Sequence, residues 1–358
     1  MVLDLMHDHD NLTENDCKMT VGIKDVARAA GVSVATVSRA LGGGPVSEEL
    51  RKKVEAAVAA TGYLPNLSAR RLRSQHSHTI GLIVSDIRNP FFTAVSRAVE
   101  DAAYAVGMRV ILCNTDENPQ KEAMYLRLMQ EERVTGVIFA PTRATAQKLD
   151  PHQLGFPVVL IDRAAPPGQT DAVVLDNAEA ASLLVEHLLA QGYRRIGGLF
   201  GNTSTTGAER HAGVVAAMQQ HGLQAEARFI APTPEAAEQA VRDWLREPVQ
   251  PEALIASNGL VLLGMLRGAR AAGVSIPAQL ALAGFDNDNW TELAGPGLTV
   301  IEQPVYDIGR TAMKMLLERL EDPTRSARKV VLSGRLIARG STAQPIAAHA
   351  GQQGAEPR

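Results

Sequence analysis

Apolar and polar positions repeat in two ways along the chain, first with a helical period and then as alternating strands and helices. Residues 22–62 contain three short segments whose apolar side chains recur every three or four positions. From Thr79 onward, short apolar runs alternate with longer segments of helical period. The runs that predict buried strands are Ile80–Val84, Val110–Cys113, Gly136–Ala140, Val158–Ile161, Ile196–Phe200, Leu254–Ala256 and Leu280–Ala283. The predicted helices between them include Phe92–Val106, Asn177–Ala190, Glu209–Gln220 and Gly259–Ala272.

The N-terminal part predicts three helices with recognisable boundaries. The first helix, Ile23–Ala30, ends at Gly31, and the second helix, Val34–Leu41, begins after the N-cap Ser33. The third helix begins after the N-cap Ser47. Its apolar residues fall on one face, at Leu50, Val54, Ala57 and Val58. These segments predict a small three-helix domain.

The strand–helix alternation predicts an α/β fold. It continues over about 260 residues, which is too long for one sheet, so we expect two doubly wound parallel α/β subdomains. The predicted divisions are a disordered acidic tail at 1–19, the three-helix domain at 20–65, a hinge helix and linker at 66–79, the α/β part at 80–341 and a disordered tail at 342–358. The first α/β subdomain is expected at about 80–174 and 305–331, and the second at about 175–302 and 332–341.

The net charge of −3 conceals an uneven distribution along the chain. Residues 20–78 contain nine Lys or Arg and four Asp or Glu, a balance of +5. Residues 1–19 have a balance of −4, and the rest of the chain carries the remaining −4. Positive charge is therefore concentrated in the three-helix part and the segment after it, where a nucleic acid would be bound.

Cysteine usage and hydropathy limit the function classes. Two cysteines, Cys17 and Cys113, cannot form a disulfide framework or a zinc cluster. No apolar run reaches membrane-spanning length, and the start lacks a basic-then-apolar secretory pattern. We expect a cytoplasmic protein that has no membrane attachment, no metal site and no cofactor.

The first two helices and their connection predict a helix-turn-helix motif. Gly31 permits the tight turn between them. The residues expected to pack the helices together are Val26, Ala27, Ala30, Val37 and Leu41, which leaves Val34, Ala35, Ser38 and Arg39 exposed on the second helix. Arg39 can form two hydrogen bonds with guanine, and Val34 and Ala35 can contact thymine methyl groups. A three-helix bundle without a nucleic-acid role is the alternative.

Residues 22–74 contain the segments IKDVARAAGVSVATVSRAL, VSEELRKKVEAAVAATGYLPN and SARRLRS. These segments resemble the lactose-repressor (LacI/GalR) family of transcription regulators. The resemblance implies a double-stranded DNA operator as partner, with Arg39 in the major groove and Leu72 as a minor-groove wedge from a hinge helix. The DNA-contacting residues that it implies are Ser33, Val34, Ala35, Thr36, Ser38, Arg39, Asn66, Ala69 and Leu72.

The α/β part resembles the effector domain of the same family, which is itself similar to periplasmic sugar-binding proteins. The matching stretches are TIGLIVSDIRNPFFTAV, VTGVIFAP, VVLIDR, HLLAQGYRRIG, LALAGFDN and LTVIEQPVYDIGRTAMKMLLERL. The resemblance implies a small-molecule effector bound between the subdomains, at the carboxyl ends of the strands. The expected effector-binding residues are Phe91, Phe92, Asp162, Arg163, Arg210, Asn258 and Asp286.

The chemistry of these residues suits a hydroxyl-rich ligand. Carboxylates accept hydrogen bonds from hydroxyl groups, and a phenylalanine ring can stack on the apolar face of a sugar. Arg163 and Arg210 leave room for a carboxylate, so the expected effector is a sugar or a sugar acid, with a purine or nucleoside as the alternative. Phe91 and Phe92 are expected to cap a helix, and Arg210 to open one. Gly259 stands where the family often has Asp, which leaves one family contact without a counterpart.

Enzymatic functions find no support in the motifs. No phosphate-binding glycine motif follows a strand, since residues 197–201 lack the required spacing, and no nucleophile elbow is present. No catalytic residue is therefore expected. One alternative function is a solute-binding component of sugar transport. That function predicts a signal peptide and no helix-turn-helix, and the sequence shows the reverse. A second alternative is a sugar-metabolising enzyme fused to a DNA-binding module, which turnover of a bound sugar would reveal.

A homodimer or larger assembly is expected. One helix-turn-helix of this size makes too few contacts for tight specific binding, so operator recognition calls for two copies. The apolar segment around Val305–Leu320 and the first α/β subdomain are the expected interface.

Overall fold

The computed structural model describes residues 21–42, 44–63 and 77–343. The chain divides into two compact units, with the boundary between Gln75 and His76. Within the described residues, no helix is both long enough and apolar enough to cross a membrane.

The first unit is a bundle of three helices: α1 Ile23–Ala30, α2 Val34–Leu41 and α3 Glu48–Thr61. The Ser33 and Ser47 hydroxyls cap α2 and α3 by accepting hydrogen bonds from backbone N–H groups in the first turn of each helix. At α1, the Asp25 carboxylate accepts the N–H of Gly22 at 3.0 Å. The buried core consists of Val26, Ala27, Val37, Ala40, Val54 and Ala57. The predicted three-helix fold is confirmed.

The second unit is built from twelve strands and nine α-helices in its described residues. The strands are β1 Thr79–Val84, β2 Arg109–Asn114, β3 Gly136–Phe139, β4 Val158–Ile161, β5 Asp171–Leu175, β6 Ile196–Gly201, β7 Glu226–Ile230, β8 Ala253–Ala256, β9 Ala281–Phe285, β10 Thr299–Glu302, β11 Lys329–Leu332 and β12 Arg335–Ile337. The helices are α4 Pro90–Ala105, α5 Pro119–Glu131, α6 Arg143–Ala146, α7 Asn177–Ala190, α8 Thr205–Gln220, α9 Pro234–Trp244, α10 Gly259–Ala271, α11 Asn289–Leu293 and α12 Val305–Glu321.

These strands form two six-stranded sheets, one in each of two lobes. The first lobe has the order β11-β5-β4-β3-β1-β2 with every pair parallel. The second lobe has the order β12-β10-β9-β8-β6-β7, in which only β12 runs antiparallel to its neighbour. Since helices cover both faces of a parallel sheet, its inner strands are apolar throughout, and β1, β3, β4, β8 and β9 are fully buried. The predicted pair of doubly wound α/β subdomains is confirmed.

Five strands were absent from the sequence prediction: β5, β7, β10, β11 and β12. Both β7 and β11 lie at sheet edges and alternate between exposed and half-buried residues, so they lack the continuous apolar run of an inner strand. At three residues, β12 is too short to give a periodic signal. Helix α8 begins at Thr205, four residues before the predicted start, because its first turn is polar.

The apolar segment at Val305–Leu320 has a different role from the one expected. It forms α12, and residues Ile308, Ala312 and Leu316 are buried in the core of the first lobe. A Cβ at Gly309 would lie 2.7 Å from the Cβ of Ala98 on α4, so the two helices pack closely. The apolar face of α12 is therefore used inside the chain, and the expectation that it forms a dimer interface is wrong for this face.

Candidate functional site

The exposed side of α2 presents most of the residues predicted to contact DNA. Val34 is 41% exposed, Ala35 and Arg39 are exposed, and Ser38 is half-buried. The Arg39 Nε donates to the carbonyl of Ala35, 3.4 Å away in the same helix. An apolar side chain as exposed as Val34 on a capped helix is well placed for groove contact.

The start of α2 is held by a short polar network. The Ser33 Oγ accepts the backbone N–H of Thr36 at 3.1 Å, and the two hydroxyls lie 2.9 Å apart. At the other end of the helix, Arg51 of α3 donates to the carbonyls of Ala40 and Gly44. Thus α2 is fixed at both ends. The hinge-helix predictions for Asn66, Ala69 and Leu72 lie outside the described residues.

In the second unit, an aspartate directly follows an inner strand of each lobe. Asp162 follows β4, and Asp286 follows β9, whose end at Phe285 lies two residues beyond the predicted one. Both adopt the left-handed conformation, with φ of 64° and 77°. This conformation is costly for a residue other than glycine, and such strain is concentrated at functional sites. The chain turns sharply at both positions.

Asp286 is a buried acceptor with hydrogen-bonding capacity left over. Its Oδ2 accepts the backbone N–H of Gly259 at 2.8 Å, and its Oδ1 accepts Nε2 of Gln303 at 2.6 Å. Each carboxylate oxygen can accept a further hydrogen bond. The Oε1 of Gln303 is buried without a hydrogen-bond partner among the described residues.

Arg210 is a buried cation whose guanidinium is only partly used. It lies in the second turn of α8, so the expectation that it opens this helix is wrong. Its Nε donates to Asn177 at 2.8 Å, its Nη1 donates to the Ser257 carbonyl, and Nη2 has no partner among the described residues. Its Cζ lies 3.8 Å from the ring centre of Phe285. Burial lowers the pKa of Arg210, and the negative charges of Asp286 and Asp162, which would raise it, only partly offset this effect.

Arg163 is just as buried as Arg210, but its guanidinium is largely occupied. Nη1 donates to Glu117 at 2.9 Å and to the Pro141 carbonyl at 2.8 Å, Nη2 donates to the other oxygen of Glu117, and Nε donates to Asp162 at 3.1 Å. Burial alone would lower the pKa of Arg163, but the charges of Glu117 and Asp162 outweigh it and raise the pKa. Burial also raises the pKa of Asp162, against the charges of both arginines.

The remaining predicted residues lie at helix starts. Asn89, rather than Phe91 or Phe92, caps α4, so the predicted capping role is wrong. The two phenylalanines lie in the first turn, with ring centres 5.0 Å apart in an edge-to-face pair that belongs to the first-lobe core. Asn258 caps α10, and its Oδ1 accepts the N–H of Val261 at 2.8 Å.

All seven residues predicted for the effector line one cavity of about 40 Å³ between the lobes. The lining also includes polar groups that the sequence argument missed, namely Asp86, Asn89, Glu117, Ser204, Thr206, Ser257 and Gln303. Glu117 could have been found by its position just after β2, and Gln303 only once β10 was recognised. A larger cavity of about 340 Å³ adjoins the first, and Phe91, Asp286 and Gln303 line both.

The space beside Gly259 is filled by a carboxylate from another segment. A Cβ at position 259 would lie 3.0 Å from Oδ2 of Asp288 and 3.3 Å from the Cβ of Asp286. An aspartate side chain at 259 would therefore need the Asp288 carboxylate to shift. Where the family often has an aspartate at position 259, this chain has glycine, and the carboxylate of Asp288 lies beside it instead.

Replacing Asp288 by Asn is expected to stabilise the second unit at alkaline pH. Burial and the charge of Asp286 raise the pKa of Asp288 to about 6. In the unfolded chain this carboxyl ionises around pH 4, whereas the folded chain resists its ionisation up to about pH 6, so wild-type stability falls as the pH rises from about 4 through 6. Because the side chain is half-exposed, we expect a gain of about 1 kcal/mol above pH 7 that disappears near pH 4. Urea unfolding of both proteins at pH 4.5, 6 and 8 measures it, and a gain independent of pH would contradict this cause.

Comparison with known proteins agrees with both units. Residues 22–66 match the bacterial regulatory proteins of the lacI family, and residues 185–342 match a periplasmic binding protein-like domain. The transcriptional regulator KdgR of Bacillus subtilis (strain 168) is 34% identical over 337 residues, covering 90% of this chain and 99% of the relative.

Solved structures extend the likeness to three dimensions. The lac repressor dimer bound to operator and the anti-inducer ONPF is 25% identical with a TM-score of 0.79, covering 90% of this chain and 99% of that one. A LacI family regulator from Enterococcus faecium with bound ribose is 29% identical with a TM-score of 0.67, covering 75% of this chain and 99% of that one. Since relatives match over nearly their whole length, the chain belongs to the LacI family and is a DNA-binding transcription regulator.

Proposed function

We propose that this regulator is a repressor whose operator affinity is controlled by a small sugar-like or sugar-acid effector bound between its two lobes. The observation that carries the proposal is the cavity in which Asp162 and Asp286 flank the partly unpaired guanidinium of Arg210. The ribose bound to the Enterococcus faecium relative supports a sugar as the ligand class.

The chemistry of the cavity suits a polyhydroxy ligand. Asp162 and Asp286 would accept hydrogen bonds from neighbouring hydroxyl groups, and Nη2 of Arg210 would donate to a ring or hydroxyl oxygen. Phe91 and Phe92 supply apolar ring surface to the same lining. Such a ligand would contact both lobes at once, because Asp162 belongs to the first lobe and Arg210 and Asp286 to the second.

The size of the cavity couples binding to movement. Small-molecule pockets usually measure about 300–1,000 Å³, far more than the cavity of about 40 Å³ between the lobes. An effector would therefore have to separate the lobes or displace the wall that adjoins the larger cavity. The first lobe begins at Thr79, directly after residues 66–78, so lobe movement would reposition the segment that leads to the DNA-binding domain.

A homodimer on a two-half-site operator completes the proposal. The edge strand β2 and the adjacent end of α4 expose the apolar side chains of Tyr104, Val106 and Leu112. These side chains, rather than the buried face of α12, offer apolar surface for a second copy. Two copies would double the contacts that a single helix-turn-helix makes.

Reciprocal titration of operator and effector tests the proposal. A thermal-shift screen with D-ribose, D-glucose, D-gluconate and adenosine first identifies a ligand. A ligand at a hundred times its Kd raises the free energy of unfolding by roughly 2.7 kcal/mol, which the screen detects as a higher melting temperature. Its affinity is then measured with and without an operator fragment that the protein itself selects from random DNA. We expect two chains per operator and a change in effector affinity of about 5- to 150-fold. Equal effector affinities in the two titrations would overturn the proposed control of repression.

A further inference from the structure

The two buried arginines of the effector cavity differ in how much of the guanidinium remains available. Arg163 uses its Nε, both hydrogens of Nη1 and one hydrogen of Nη2 on Glu117, Asp162 and Pro141. Arg210 uses only its Nε and Nη1 within the described residues. A ligand anion would therefore find an unpaired nitrogen on Arg210 and almost none on Arg163.

Glu117 is held in position by its backbone as well as by its side chain. Asp116 and Glu117 both adopt the left-handed conformation, with φ of 52° and 57°. The backbone N–H of Glu117 donates to the carbonyl of Ser85 at 3.1 Å. Its side chain is 15% exposed and grips Arg163 with both carboxylate oxygens. This turn directs the Glu117 carboxylate to the buried guanidinium of Arg163.

The charges that line the cavity disfavour an anion. Four carboxylates, from Asp86, Glu117, Asp162 and Asp286, face two guanidinium groups. The exposed Arg88 neutralises Asp86 with a bond of 2.9 Å between Nη2 and Oδ2, which still leaves three carboxylates against two arginines. A bound carboxylate would add a fourth negative charge in a buried space where like charges repel strongly.

We infer that Glu117 sets the charge selectivity of the effector cavity: by occupying Arg163, it reserves the cavity for an uncharged polyhydroxy ligand and excludes sugar acids. This inference rests on the proposed sugar-binding function and narrows its ligand class. Glu117 acts through Arg163, as a specificity-determining residue that need not touch the ligand.

Matched sugar pairs test the selectivity of the wild-type protein. The probes are D-glucose with D-glucuronate, D-galactose with D-galacturonate, and D-ribose with D-ribonate, each measured by calorimetry on the full chain. We expect the neutral member of the bound pair to bind at least about tenfold more tightly than its acid, the effect of one unmatched charge. An acid that binds as tightly as its neutral partner would overturn the inference and leave the sugar-effector function standing. If no member of any pair binds, the proposed sugar function fails together with the inference.

The Glu117→Gln variant tests the residue itself. Glutamine keeps the size of the side chain but has one acceptor oxygen instead of two, so Arg163 regains an unpaired N–H and the cavity lining loses one negative charge. We expect the neutral-to-acid affinity ratio to fall by about tenfold or more. The control is Asp116→Asn, which removes the same charge from the adjacent residue, where the partner is Lys121 rather than Arg163. If Glu117→Gln changes the neutral-to-acid affinity ratio no more than Asp116→Asn does, the role of Glu117 is overturned. If the Glu117→Gln variant does not fold, the wild-type measurement still tests the selectivity.

Discussion

Replacing Asp286 by Asn is expected to weaken effector binding by about 10- to 100-fold, the loss of a hydrogen bond to a charged acceptor in a buried site. Operator binding in the absence of effector should stay unchanged, because Asp286 lies in the second α/β lobe and not in the three-helix unit. The variant would therefore respond only at about 10- to 100-fold higher effector concentration. Effector titration by calorimetry, with operator titration alongside, measures both effects.

The fold should survive this substitution. Asparagine tolerates the left-handed conformation that Asp286 adopts, and its oxygen can still accept the N–H of Gly259. A flip of the Gln303 side-chain amide would place its unpaired Oε1 opposite the new amide group. Alanine would be a poorer test, since it would leave both donors without an acceptor.

The control for this prediction is Asp288→Asn, which removes the same charge two residues along the chain. Asp288 lines only the larger cavity, so this variant should bind effector nearly as the wild type does. Equal losses in the two variants would show that the general charge of this loop, rather than the Asp286 carboxylate, controls the affinity.

Arg39→Ala is expected to cost about 1–3 kcal/mol per half-site on the operator and much less on random DNA. The side chain is exposed on α2, whose N-terminus is capped by Ser33, so loss of the guanidinium should remove a base contact without unfolding the domain. Fluorescence anisotropy with specific and scrambled fragments at one fixed salt concentration measures the difference.

Arg28→Ala provides a charge-matched control for Arg39. Arg28 is an exposed residue of α1 that pairs with Asp25 at 3.2 Å, so its removal lowers the positive charge of the same unit equally. Non-specific DNA binding depends chiefly on this charge, so the affinity for random DNA should fall to a similar extent in both variants. If Arg39→Ala lowers the affinity for the operator and for random DNA by the same factor, Arg39 contacts phosphate and does not read a base.

Much of the cavity between the lobes could be predicted from strand ends alone. Parallel strands end at one edge of a sheet, so the polar residues directly after β4, β8 and β9 had to lie at the same edge of their lobes. This rule placed Asp162, Asn258 and Asp286 correctly in the chain, and the structure brings all three to the cavity. Gln303 was not predicted because β10 was not recognised, although Gln303 directly follows that strand.

Contacts between distant segments could not be predicted from local pattern. The α12 segment has the apolar stripe of any amphipathic helix, and its period does not say whether the stripe faces α4 of the same chain or a second copy. The close approach at Gly309 decides this in favour of α4. Likewise, nothing near Gly259 in the chain reveals that Asp288 fills the space beside it.

The sequence by itself determined the two units, the capped helices of the DNA-binding domain and the inner strands of both sheets, because helix caps and buried apolar runs are local signals. Only the tertiary structure decided how the polar groups of the cavity are paired. Arg163 and Arg210 look alike in the sequence, yet Glu117, which lies 46 residues before Arg163, occupies the first, while the second keeps an unpaired Nη2. A hydrogen bond depends on distances and angles between side chains, which the order of residues does not specify until the lobes are folded.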